Sequence, residues 1–169
     1  MLIVKDSMVL IHLATGGILK EACIMFNHVI IPELVHKEVV ERGIENSHPD
    51  AYIVQKLEKE GYIQVQHVTE TALMEELKSY GLRGGELEAV TLYIQEKADL
   101  IASNDDKVRK LRLILNLELV SSLEIVFLMA KNRAISKDRA NECLRELKKV
   151  GWFSKNVIDT IIEGVEQLD

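Results

Sequence analysis

Little in this chain breaks or staples a fold. Among its 169 residues there are two prolines, Pro32 and Pro49, which leaves small room for long irregular segments. Two cysteines, Cys23 and Cys143, stand far apart in no metal-type spacing. They read as buried free thiols of a reducing cytoplasm, not as a disulfide framework. No apolar run approaches the ~20 residues a membrane-spanning helix needs. Met1 leads into Leu2-Ile3-Val4 and Asp6 soon follows, so neither a secretory leader nor a membrane location is expected. Linkers, repeats and low-complexity stretches are also missing. Positive charge is in deficit: the formal net charge is −6. Long-range attraction to a polyanion is therefore not expected, and nucleic acid would have to be met through a local basic patch or through metal ions.

Apolar residues are plentiful, at 47% of the chain, enough for one domain with a full core. Short apolar runs predict strands at 2–5, 28–31, 99–102 and 118–120. A weaker fifth lies at 63–68, where Ile63, Val65 and His67 alternate with Gln64, Gln66 and Val68. Between them, periodic segments predict helices over 7–14, 17–26, 33–42, 49–60, 70–79, 86–97, 105–115, 122–132, 136–149 and 155–166. Strands alternating with helices predict an α/β fold with a mainly parallel sheet of four or five strands flanked by helices. The C-terminal third is helical throughout. The expected organisation is one domain over 1–169, with a core of about 1–132 and a C-terminal helical extension of about 133–169.

Open parallel sheets bind ligands at the carboxyl ends of their strands. Those ends are acidic here. Residues 2–5 run into Asp6-Ser7. Residues 28–31 run into Pro32 and a helix carrying Glu33 and Glu38. Residues 99–102 run into Ser103-Asn104-Asp105-Asp106. A further acid, Glu86, follows Gly84-Gly85 at the start of a helix. At about 100° per residue, Glu86 falls within the arc of Val90, Tyr93 and Ile94, whereas Glu88 lies opposite and is expected to face water. Glu38 falls between Leu34 and Val35 on the buried side of its helix.

Each acid has a plain structural reading. Asp6 could cap the helix that starts at Ser7, Asp105 and Asp106 open a helix whose start favours negative charge and which Asn104 or Ser103 could cap, Glu86 lies in a first turn of the same kind, and Glu38 could snorkel or pair with Arg42 four residues on. Together they predict more. Carboxylates gathered in a partly buried pocket must be neutralised, paired or bound to a cation. Hard divalent ions such as Mg²⁺ or Mn²⁺ take oxygen ligands and keep several waters, which suits such a pocket.

The order and setting of these acids resemble the PIN-domain ribonucleases. The matching stretches are Leu2-Ile3-Val4-Lys5-Asp6-Ser7, then Ile30-Ile31-Pro32-Glu33 running on to Glu38-Val39, then Gly85-Glu86-Leu87-Glu88-Ala89, and finally Ser103-Asn104-Asp105. The Gly-Glu-x-Glu-Ala form is similar to an uncharacterised prokaryotic branch of that family. The likeness runs to the C-terminal Gly151-Trp152-Phe153-Ser154 and its helix. Ser103 stands where Thr is commoner, and Ser121-Ser122 where the branch usually has Gly-Thr.

The resemblance implies a PIN-like fold and a metal-dependent endoribonuclease cutting single-stranded RNA. Asp6, Glu38, Glu86 and Asp105 would hold one or two Mg²⁺ or Mn²⁺ ions, with Asp106 as alternate to Asp105. Ser7 and Ser103 would orient ligands or waters. Lys5, Arg83, Lys107 and Arg109, with Lys110 and Arg112, are expected near the substrate backbone. A toxin–antitoxin pairing, an antitoxin protein partner and a homodimer follow from the same resemblance. The competing expectation is a catalytically inactive PIN-like module that binds RNA or protein.

Other chemistries fit less well. Histidines at 12, 28, 36, 48 and 67 form no His-x-x-x-His pair, which argues against a zinc hydrolase. His12, in an apolar helix, reads as packed. Gly16-Gly17 and Gly84-Gly85 match no phosphate-binding loop. Asp6 lacks the second Asp two residues on that a haloacid-dehalogenase-like enzyme needs, and the acidic neighbour that a receiver domain needs. Trp152 and Phe153 read as a packing anchor between the last two helices.

Overall fold

A computed structural model describes residues 1–150 and 153–168. Gly151 and Trp152, part of the expected packing anchor, lie outside the described residues. Five strands form one all-parallel sheet in the order β3-β2-β1-β4-β5. They are β1 (Leu2–Lys5), β2 (His28–Pro32), β3 (Ile63–Gln66), β4 (Leu100–Ala102) and β5 (Leu119–Val120). The weak fifth strand thus forms, but stops at Gln66, before His67 and Val68.

Parallel strands need both faces covered, and two buried clusters do this. Period-two alternation sends successive β1 side chains to opposite faces. Ile3 joins the larger cluster and Val4 the smaller. The larger cluster draws on α1 (Ser7–Thr15), α2 (Leu19–Phe26), α5 (Pro49–Lys59), α9 (Ser122–Lys131), α10 (Lys137–Val150) and α11 (Lys155–Glu166). The C-terminal helices share this core, because Leu144, Leu147, Ile158 and Val165 are fully buried in it. The smaller cluster draws on α6 (Thr71–Ser79), α7 (Gly84–Gln95) and α8 (Asp106–Leu111). No described helix is long and apolar enough to cross a membrane.

Two predicted helices come out differently. The segment 33–42 is not one α-helix. It runs as α3 (Glu33–His36), a π-helical turn over Lys37–Glu41, and α4 (Arg42–Glu45). The wider π turn shifts the faces that a 3.6-residue wheel assigns, and such turns recur at functional sites. The helix expected over 105–115 ends at Leu111, with Asn116 at a positive φ of 50°. Leu115 still packs on the smaller cluster, but Leu113 and Ile114 are left exposed.

Both cysteines are free and buried. Cys143 closes on α1's C-cap, Gly16, where an added Cβ would overlap its Sγ. Gly16→Ala is therefore expected to lower stability by about 1–3 kcal/mol through overpacking. Urea unfolding should show the loss, and a Cys143→Ala partner should recover most of it; a simple sum of the two single effects would refute the steric account.

Candidate active site

The carboxyl edge of the sheet is where each strand hands its chain to a helix. After β1, the Asp6 backbone N–H donates to the Ala102 carbonyl at 3.0 Å, carrying the sheet ladder one step further. The Asp6 side chain then caps α1, its Oδ1 accepting from the Val9 N–H at 3.0 Å. Asp6 is only 5% exposed. Burial pushes its carboxyl up to about 6, and the negative charge of Asp105 adds to this; the Ser103 hydroxyl and the backbone N–H groups of Val9 and Asn104 pull the other way.

Asp105 occupies the equivalent place after β4. It caps α8 through Oδ1, which accepts from the Lys107 N–H at 2.7 Å and the Val108 N–H at 3.0 Å. Its own N–H donates to Ser103 Oγ at 3.1 Å. Asp105 is thus the cap, while Asp106 is the exposed first residue of the helix. Glu86 closes the N-terminus of α7, its Oε1 accepting from the Arg83 N–H at 3.0 Å. The plain readings of Asp6 and Glu86 hold, while Asp105 takes the cap expected of Asn104 or Ser103. Each caps a helix with one oxygen, while Glu86 Oε2 and Asp105 Oδ2 make no hydrogen bond among the described residues.

Glu38 sits on the π turn. Its partner is Ser7, whose Oγ donates to Glu38 Oε2 at 2.7 Å, rather than Arg42. Gly85 makes the approach of α7 to this pair possible. A Cβ there would stand 2.8 Å from Glu38 Oε2 and 3.3 Å from Ser7 Oγ. The preceding Gly84 has a positive φ of 54°. Its Cβ position is 3.6 Å from Glu86 Oε2 and 3.9 Å from Glu38 Oε1, so both carboxylates flank the positive end of α7, which favours them.

Asp6, Glu38, Glu86, Asp105 and Asp106 all line one cleft of about 1090 Å³, together with Ser7 and Ser103. Elements distant in sequence thus bring the predicted acids to one wall. Their spacing is open: among the described residues no three acidic, histidine or cysteine side chains are close enough to share an ion. The donor chemistry nevertheless fits a hard cation. All the cleft's predicted ligands are oxygens, and Mg²⁺ commonly uses only one or two carboxylates and keeps its waters.

The expected substrate cations divide. Arg109 lines the cleft, as does Arg112. Lys5 does not, and that expectation is corrected. Lys5 is fully buried on the Ile3 face of β1, with Nζ 5.4 Å from the Phe26 ring centroid. Period-two alternation placed it inside. Its ammonium has no hydrogen-bond partner among the described residues, and burial lowers its pKa. Arg83 is exposed and donates through Nη1 to the carbonyls of Lys78 and Leu82, both at 2.6 Å. Lys107 reaches the Gly81 carbonyl at 3.3 Å. Neither is on the cleft wall. Glu88 also departs from expectation. It does not simply face water, because its Oε2 accepts from the Leu34 N–H at 3.0 Å and so closes the start of α3.

The sequence reading missed a polar network beside the acids. Asn104 Oδ1 accepts from the Ser122 N–H at 3.0 Å, Asn104 Nδ2 lies 3.0 Å from Ser122 Oγ, and His12 Nδ1 lies 3.1 Å from both Asn104 Nδ2 and Ser122 Oγ. The available signal was the i, i+4 spacing of Met8 and His12, which puts both on one helix face; both line the cleft.

A family model described as a PIN domain matches residues 2–167. No curated protein and no solved structure matches the chain. PIN domains are generally nucleases and typically use divalent metal ions. The five-stranded parallel sheet with helices on both faces is the PIN-like fold expected from the sequence. The match spans nearly the whole chain, and the protein belongs to the PIN-domain family.

Proposed function

We propose that the protein is a metal-dependent endoribonuclease that hydrolyses phosphodiester bonds of single-stranded RNA. One observation carries this reading: four carboxylates from separate parts of the chain line a single cleft at the carboxyl edge of the sheet. Asp6, Glu38, Glu86 and Asp105 would hold Mg²⁺ or Mn²⁺, with Asp106 as the alternate to Asp105. Bound there, such an ion lowers the pKa of a water and screens the phosphate. Ser7 fixes Glu38 through its 2.7 Å hydrogen bond. Ser103 positions Asp105 by accepting from its backbone N–H. Arg109 and Arg112 set two cationic side chains among the cleft's carboxylates, where they would meet the RNA phosphates. The toxin–antitoxin setting, the antitoxin partner, the homodimer and the cytoplasmic location rest on the family resemblance and the composition.

A second reading, a catalytically inactive module that binds RNA or protein, is favoured by the open spacing of the acids. Calorimetric Mn²⁺ titration beside a cleavage assay on fluorescent single-stranded RNA separates the two. The nuclease reading expects binding heat and metal-dependent cleavage, both lost in Glu86→Gln. RNA binding with neither heat nor cleavage would overturn it in favour of the second.

A further inference from the structure

The cleft is far larger than a cation and a scissile phosphate require, and its walls differ. Along the sheet order the carboxylates follow β2, β1 and β4. The next strand, β5, hands over to Ser121, and the cleft continues along Leu123 and Glu124, whose Oε2 is engaged by the Ser121 N–H at 2.7 Å. Beside them the cleft is lined by His12 and by Phe153 and Val157 from the C-terminal region.

The hydrogen bonds around His12 point to one tautomer. The Ser122 backbone N–H can only donate, so the Asn104 atom it meets at 3.0 Å is the carbonyl oxygen. The amide nitrogen of Asn104 therefore faces His12 Nδ1 at 3.1 Å as a donor. The tautomer in which Nδ1 accepts satisfies both this contact and that with the Ser122 hydroxyl at 3.1 Å, and it carries the imidazole hydrogen on Nε2. Burial lowers the His12 pKa to about 4 and keeps the ring neutral. His12 is 2% exposed, and Nε2 has no hydrogen-bond partner among the described residues. A buried donor left unmet is costly and calls for an explanation. The ring lying against it is Phe153, half-buried, with centroids 5.1 Å apart and planes tilted by 56°.

Resting on the ribonuclease reading of the adjoining acids, we propose that the β5 side of the cleft seats one unpaired nucleobase of the RNA. The base stacks on Phe153, and His12 Nε2–H donates to an acceptor on its edge. Nucleobases supply both an aromatic face and hydrogen-bond acceptors, and single-stranded RNA is recognised through such splayed bases. Arg109 and Arg112 on the same cleft suit the phosphates that such a base brings with it. Seating the base requires Phe153, half-buried against the larger core, to turn off the imidazole and uncover Nε2.

The test pairs protein and RNA changes. Wild type, Phe153→Ala and His12→Phe are assayed with one short single-stranded RNA, intact or carrying a single abasic site at each position in turn. Affinity is read by fluorescence anisotropy in Ca²⁺, and cleavage in Mn²⁺. Loss of one particular base should weaken wild-type binding on the order of tenfold and leave Phe153→Ala nearly indifferent to the same loss. His12→Phe should keep the stacking part of the effect and lose base preference. The penalty of Phe153→Ala in cleavage should fall mainly on KM. Wild type that cuts RNA while both variants respond to abasic sites as it does would overturn the base seat and leave the nuclease reading standing. Base-dependent binding without cleavage would overturn the nuclease reading and support the seat. Neither binding nor cleavage would overturn both.

Discussion

Asp6→Asn is expected to lose metal-dependent RNA cleavage by at least about 100-fold and yet to melt at a higher temperature than wild type in the presence of a chelator. The two effects share one cause. The Asp6 carboxyl is buried, and its pKa is raised to about 6 from 3.8, first by burial and then by the charge of Asp105. In the unfolded chain the group releases its proton near the lower value. Between the two values the folded state holds a proton that the unfolded state has lost, so the contribution of Asp6 to stability falls as pH rises through that window and is level above it. At neutral pH the cost is on the order of 2–3 kcal/mol. Asparagine carries no charge to bury and caps a helix about as well as aspartate, so the Val9 N–H keeps its acceptor. The variant should lose the Asp6 contribution and show stability rising with pH between about 4 and 6, the slope that buried His12 supplies with its pKa lowered to about 4. Cleavage equal to wild type would refute the role of Asp6, and a lower melting temperature in chelator would refute the account of its burial.

Lys5→Met is expected to stabilise the fold by about 1–4 kcal/mol, the range found when buried charged groups give way to apolar side chains of similar volume. The ammonium of Lys5 lies in the larger core without a hydrogen-bond partner among the described residues, near Phe26. Methionine fills the same channel with an unbranched apolar chain. Burial lowers the lysine's pKa from its usual 10.5. Above that lowered value the unfolded chain holds a proton that the folded one does not, so wild-type stability gains as pH rises toward 10.5, and the gain vanishes in the variant. Chemical denaturation across that alkaline range measures both effects. Cleavage should stay close to wild type, since the side chain is shut away from the cleft. A destabilised Lys5→Met would refute the account of its burial, and a folded one that binds RNA poorly would restore the substrate role that the sequence alone had assigned.

Those two neighbours show how far a sequence reaches. Asp6 was legible as a cleft acid because an apolar strand that ends in a carboxylate is a local pattern, and the same logic found Asp105, whereas Glu86 was found by its place after Gly84-Gly85 on the apolar arc of its helix. Lys5 was misplaced because its burial depends on what covers the Ile3 face of β1, namely Phe26 on α2, a long-range fact. Glu38 was found on the right side of its segment, yet the π turn that carries it, and its Ser7 partner in place of Arg42, depend on α3 packing beside α7. Glu88 was assigned to water because the wheel contains no second helix; in the fold, the start of α3 lies within its reach.

By itself the sequence determined what short-range physics determines: apolar runs that must be strands, amphipathic periods that must be helices, and acids at the junctions between them. Strand order, the meeting of those acids in one cleft, the buried amine of Lys5 and the hydrogen-bond network around His12 were decided only in three dimensions. Each depends on contacts between residues far apart in the chain. Backbone propensity acts over a few residues, whereas burial and hydrogen-bond partnership are set by whichever distant element the sheet brings alongside.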